Sequence, residues 1–120
     1  MNKIKEYKEK MFEDIKHIDE EGNEYWLARE LQSTLGYHQW RSINDLIVRA
    51  KVACKESKYN VDDHFAVQRK MIKLAKGAAR KVIDYKLSRY ACYLIVMNGN
   101  PKKEIIALGQ TYFAIQTRKQ

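Results

Sequence analysis

Trp40, Ile43, Ile47, Ala50 and Cys54 recur at steps of three and four, with Leu46 and Ala53 widening the stripe. Arg41, Asn44, Asp45, Lys51 and Lys55 fall on the other side. This spacing predicts an amphipathic helix over roughly residues 39–57. Upstream, Glu13 to Ile18 reads as a strand. Asp19-Glu20-Glu21-Gly22-Asn23 has turn composition, and Glu24-Tyr25-Trp26 pairs back to make a hairpin. A helix then starts near Trp26 or Leu27 and stops at Gly36, which supplies a C-terminal cap. Ile4, Tyr7, Met11 and Ile15 also recur at helical spacing, so residues 1–11 are read as an N-terminal arm or short helix and 12–120 as the main domain.

Downstream of the long helix, Lys58 to Asp63 is a polar connector. From His64 to Leu74, apolar and basic residues mix without a helical period. Ala75-Lys76-Gly77-Ala78-Ala79 breaks the pattern, and Arg80 to Leu87 resumes it with Val82 and Ile83. The segment reads as a second hairpin with a basic tip. Helix is the competing reading, because Lys, Ala, Met and Leu are good helix formers.

From Leu87 to Gln116 two apolar helical runs meet at Asn98-Gly99-Asn100-Pro101. Ser88 is the expected N-cap of the first, its hydroxyl accepting from an orphan backbone N–H. Tyr90, Ala91, Leu94, Ile95 and Met97 form its apolar face. Gly99 is expected to end it in the left-handed conformation, and Pro101, the single proline, to open the next helix. Ile105, Ile106, Leu108, Gly109, Tyr112, Phe113 and Ile115 supply the second face. Tyr112, Phe113 and Ile115 serve either the core or a homodimer surface. Together these elements predict a compact α+β domain of about four helices with one or two small β-hairpins.

At 120 residues the chain can bury a core without staples. No apolar run approaches the ~20 residues of a membrane span, and MNKIKEYKEK has no apolar signal-peptide core, so a cytoplasmic protein without membrane contact is expected. Cys54 and Cys92 share no metal-type spacing and are read as two reduced core thiols. The formal net charge of +8 is unevenly spread. Residues 1–63 carry 11 Lys+Arg against 13 Asp+Glu, and residues 64–120 carry 12 against 2. Between Arg69 and Arg89 eight cations face one acid, Asp84. Such asymmetry makes a polyanion, nucleic acid or an acidic protein, the expected partner.

Catalytic signatures are absent: no P-loop, no dinucleotide fingerprint and no H-E-x-x-H. His17, His38 and His64 lack ligand-like spacing, so neither metal nor cofactor is expected. His64, after Asp62-Asp63, reads as a hydrogen-bonded structural histidine. Asp19, Glu20, Glu21 and Glu24 read as a solvated turn.

Two stretches suit DNA instead. Leu27 to Leu35, the Gly36 turn and the helix from Gln39 have a helix-turn-helix layout, which would bring Gln39, Arg41 and Asn44 to base edges. One departure stands out. Such units commonly keep a small residue four positions before the turn glycine, and here that residue is Gln32. The basic hairpin is the second candidate. Arg69, Lys70, Lys73, Lys76, Arg80, Lys81 and Lys86 would follow a phosphate backbone, with Gly77 allowing close approach. Arg89 sits near a helix start, where a cation is disfavoured, so it calls for an acid within the fold or an external phosphate. Tyr90, Tyr93 and Tyr112 read as core, and Tyr37 and Tyr59 as turn residues able to stack on a base or partner.

LSRYACYLIVMNGNPKKEIIALGQTYFA resembles the closing segment of the DNA-damage-inducible protein D family, which is related to the BRO-N and KilA-N type domains of phage antirepressors. FEDIKHIDEEGNEYWLARELQSTLGYHQW, Phe12 to Trp40, and YNVDDHF, Tyr59 to Phe65, resemble the same family, so the likeness spans nearly the whole chain. The resemblance implies a non-enzymatic regulator in the bacterial DNA-damage (SOS) response or in phage circuits. The basic half adds the expectation that it acts on DNA or a nucleoprotein filament; the alternative is a module that captures a repressor or recombinase without contacting DNA. Gln116 to Gln120 stop while the helical pattern still runs, as expected of either a trimmed domain or a short family member.

Overall fold

The structure, a computed structural model, describes residues 10–118, with side chains through Ala114. The elements are β1 (His17–Ile18), β2 (Glu24–Leu27), α1 (Ala28–Thr34), α2 (Trp40–Glu56), α3 (Val61–His64), β3 (Phe65–Lys73), a 3-10 turn (Ala75–Gly77), β4 (Ala79–Leu87), α4 (Arg89–Met97) and α5 (Glu104–Arg118). The strands form one antiparallel sheet in the order β1-β2-β4-β3. The α+β class is as expected. The helix count is not: among the described residues there are six α-helices, residues 10–14 and α1 to α5, and the 3-10 turn, where about four helices were expected. One of the extra helices is α3, a single turn inside the polar connector, started by Asn60 Oδ1 accepting from Asp62 N at 2.9 Å.

The expected N-terminal arm lies outside the described residues except for its last two. Residues 10–14 are helical, so the strand expected from Glu13 shrinks to His17–Ile18. The cause is tertiary. Helical geometry drops Phe12 fully into the core, where it packs on Tyr112 and Phe113 with ring centroids 5.4 Å away in each case. Trp26 Nε1 donates to the Phe12 carbonyl at 2.9 Å, and the Tyr112 hydroxyl donates to Glu13.

The core gathers the buried stripe of α2 (Ile43, Leu46, Ile47, Ala50, Cys54), the inner faces of α4 and α5, and Trp26, Phe65 and Leu87 from the sheet. Tyr112 and Phe113 therefore belong to the core and not to a dimer surface. Ser88 caps α4 as expected, its Oγ accepting from Ala91 N at 3.0 Å. Two expectations at the α4–α5 turn fail. Gly99 does not take positive φ, and α4 ends instead on Asn98 in ordinary helical conformation. The glycine is needed for space: a Cβ there would stand 3.0 Å from two carbons of Ile106. Pro101 lies in the turn, ahead of α5, which begins at Glu104. Both cysteines are buried and free, and burial pushes the Cys92 thiol well above its ordinary range.

Arg89 finds the acid its position asks for. Its Nε and Nη2 donate to the Glu24 carboxylate at 2.6 and 2.8 Å. The guanidinium lies 4.9 Å from the Trp26 ring centroid and is 6% exposed. This buried pair ties the start of α4 to the first hairpin.

Candidate nucleic-acid interface

β3 and β4 pair in unbroken register from Phe65↔Leu87 to Lys73↔Ala79. β2 reaches β4 only at Leu87 and Lys86. Beyond that point the sheet has two strands, and the hairpin leaves the body as a ribbon. Its root is anchored. Tyr85 is buried, stacks on Trp40 with centroids 6.4 Å apart and accepts a hydrogen bond from Lys51 Nζ at 2.9 Å. Its end is a tight turn in which Lys76 (φ 64°) and Gly77 (φ 81°) both take positive φ, as mirror-image hairpin turns require.

Arg69, Lys70, Lys73, Lys76, Arg80 and Lys81 are all exposed along the ribbon, and none has an ion-pair partner among the described residues. Directly paired residues share a face of the ladder. Arg69, Lys73 and Lys81 thus occupy one face, and Lys70, Arg80 and Lys86 the other. The cations coat both sides and the tip rather than one side. Lys86 is half-buried at the root, 4.3 Å from the Tyr25 ring centroid.

Asp84 is the only acid in either strand, and it is 1% exposed. Its Oδ1 accepts from Arg29 N at 3.0 Å and from Tyr85 N at 2.8 Å. Helix α1 has no side-chain cap of its own at Leu27, so Asp84 satisfies an orphan N–H of that helix from across the fold. Arg29 Nε reciprocates on the Ile83 carbonyl at 2.9 Å. One contact thus completes α1 and removes the ribbon's negative charge from the surface. Nothing local in the sequence announces it, because the partners lie 55 residues apart.

The helix-turn-helix candidates fall beside the root. Gln39 is the exposed N-cap of α2, Arg41 is exposed and Asn44 is half-buried. Gly36 takes φ +79°, as its capping role requires. Gln32, the departure from the usual pattern, is used by the turn: its Nε2 donates to the Tyr37 carbonyl at 3.1 Å. Trp40, stacked on Tyr85, brings the start of α2 up to the ribbon. Arg89 stands apart. It is inside the protein on Glu24, and an external phosphate cannot reach it without unfolding that contact.

His64 Nδ1 lies 2.6 Å from Ser88 Oγ, a structural hydrogen bond between the end of α3 and the cap of α4. Asp19 accepts from the backbone N–H groups of Asn23 and Glu21, both at 2.9 Å, which holds its carboxyl below the usual range. Among the described residues no three His, Cys, Asp or Glu side chains converge as a metal site. An open cavity of about 700 Å³ lies between the first hairpin and α3. Asp19, Glu24 and Asp63 line it together with Lys86 and Arg89, so it presents no single sign of charge.

Among the described residues no helix is long and apolar enough to cross a membrane. The model of the BRO family, N-terminal domain (Bro-N), matches residues 14–114. The chain is 51% identical over 109 residues to DNA damage-inducible protein D of Escherichia coli (strain K12). That alignment covers 91% of this chain and 40% of the relative, so the chain spans well under half of that protein. No solved structure matches significantly. With five-sixths of its length inside the family model, and the ribbon, the Gly36 turn, α4 and most of α5 within that span, the chain belongs to the BRO family as an N-terminal Bro-N domain.

Proposed function

We propose that this domain is a non-enzymatic, cytoplasmic regulatory module of the bacterial DNA-damage response, or of a phage circuit, that binds DNA through the β3–β4 ribbon. One observation carries the reading. With Asp84 sequestered, every exposed charge on the ribbon is positive. Charge on an exposed strand also guards against edge-to-edge aggregation, but cations alone on both faces and at the tip suit a phosphate backbone. The likeness to a protein named for its induction by DNA damage supports the same setting. Fluorescence anisotropy on a labelled duplex tests it, with binding expected at about 0.1 M salt and strongly reduced at about 0.3 M.

A second reading has an observation of its own. Val48 and Val52 on α2 are exposed, as are Val67 and Ile83 near the ribbon root. A module that captures a repressor or recombinase would use such apolar area. It would show little DNA affinity near physiological salt, yet would form a defined complex with one protein.

The start of α2 is a separate contributor. If Gln39, Arg41 and Asn44 reach base edges, Asn44→Ala relaxes preference at one base position by about 1–3 kcal/mol. If they do not, selection of sequences from a random duplex pool returns the same preference for variant and wild type.

A further inference from the structure

The far half of the ribbon carries a second feature that charge does not explain. Met71 is 57% exposed and Leu74 45% exposed, close to the turn and flanked by Lys70, Lys73, Arg80 and Lys81. Leu74 N donates to the Ala78 carbonyl at 2.7 Å, so this end is an ordered hairpin and its apolar side chains are held out in water. Small residues surround them: Ala75, Gly77, Ala78 and Ala79. Strand alternation puts Met71 on the face of Arg69, Lys73 and Lys81 and Leu74 on the face of Lys70 and Arg80, so the narrow tip has one large apolar group behind it on each face, set among cations.

A second copy of the ribbon is a poor occupant of either face, because it would press cations against cations. Base-edge reading in the major groove would fall to the ribbon's Arg and Lys side chains, since Gln68, the one amide side chain in either strand, is paired with Asp84 at the root, and it would leave Met71 and Leu74 without a role. Minor-groove architectural proteins use this combination differently: cations hold the flanking phosphates while an apolar side chain enters between base pairs and kinks the duplex. Strand residues rise about 3.3 Å each. The stretch from Val67 to Lys73 is thus about 20 Å long, enough to lay a tip into a groove while the root stays against the backbone.

We propose that the ribbon is a DNA-bending arm, in which a large apolar side chain behind the tip, Met71 on one face or Leu74 on the other, wedges into a minor-groove base step of duplex DNA while the cations on both faces hold the phosphates. This rests on the reading that the ribbon binds DNA. It adds that binding deforms the duplex and that sequence selection by the ribbon is weak, favouring easily unstacked steps.

The experiment uses the 120-residue chain and a duplex of roughly 20 base pairs, about 68 Å long at ~3.4 Å per pair, with a donor dye and an acceptor dye at its ends. That length is well below the persistence length, so free DNA behaves as a stiff rod. The wild type is expected to raise energy transfer on binding. Met71→Ser with Leu74→Ser is expected to bind within about three-fold of wild type, because the phosphate contacts remain, but to leave energy transfer near that of free DNA. Met71→Leu with Leu74→Met keeps the apolar volume and is expected to bend as wild type does, which separates the wedge from any damage to the fold. Binding by the wild type with no change in energy transfer overturns the bending arm and leaves the DNA-binding reading standing. Bending by the serine variant overturns the assignment to these two side chains. No duplex binding by the wild type overturns both readings.

Discussion

Arg80→Glu combined with Lys81→Glu is expected to weaken duplex binding by roughly 50- to 100-fold at about 0.1 M salt. Each phosphate contact carries a slope of about 0.9 in log affinity against log salt. At about 0.1 M, relative to 1 M, one contact is therefore worth roughly eight-fold and two about sixty-fold, and reversed charges add repulsion. The fold should not notice. Arg80 and Lys81 sit opposite Ile72 and Met71 on the exposed ribbon and have no ion-pair partner among the described residues. Exposed substitutions of this kind change stability by about 0.5 kcal/mol or less. Circular dichroism melts alongside anisotropy check both halves. Unchanged affinity would remove the ribbon from the interface.

The second large effect lies in the core. Arg89→Met is expected to cost about 3 kcal/mol in urea unfolding, the low end for breaking a buried ion pair. Arg89 makes two hydrogen bonds to Glu24 and is nearly fully buried. The low end applies because Lys16 Nζ remains 3.8 Å from the Glu24 carboxylate, which is itself partly exposed. Against a total stability of about 5–15 kcal/mol this is a severe lesion. Adding Glu24→Leu should recover part of it, since two apolar side chains then replace the pair. DNA affinity of the folded Arg89→Met protein should match wild type, because the guanidinium is not at the surface. That outcome distinguishes Arg89 from the ribbon cations with which it shares a stretch of sequence.

How far the sequence could be read depended on the distance between the causes. The α2 stripe, the Ser88 cap, the Gly36 turn and the basic hairpin are set by neighbours within a few residues, and each appears where the pattern indicated. Glu13 and Asp14 read locally as strand but are helical, and the reason for the helix is Phe12 meeting Tyr112 and Phe113, about one hundred residues away. Gly99 looks locally like a left-handed cap, but the demand on it is close packing with Ile106 across the turn. The ribbon's composition disclosed its cations but not their arrangement on two faces, nor the fate of Asp84. The lone acid looked like a diluent of the positive charge; its contact with Arg29 makes it the reason that the charge is undiluted. Arg89 shows the same lesson reversed. Its unfavourable position near a helix start was legible, and only the fold could choose Glu24 over an external phosphate.

The central claim, that the β3–β4 ribbon is a phosphate-binding surface, is tested most directly by a salt titration of wild type and Arg80→Glu/Lys81→Glu protein on double-stranded and single-stranded DNA. Wild type is expected to bind duplex with a log–log slope of about −4.5 to −6, as five to seven phosphate contacts require. The variant's slope should be shallower by about 2, and duplex should be preferred over single strand. A slope near zero, or equal slopes for the two proteins, would contradict it.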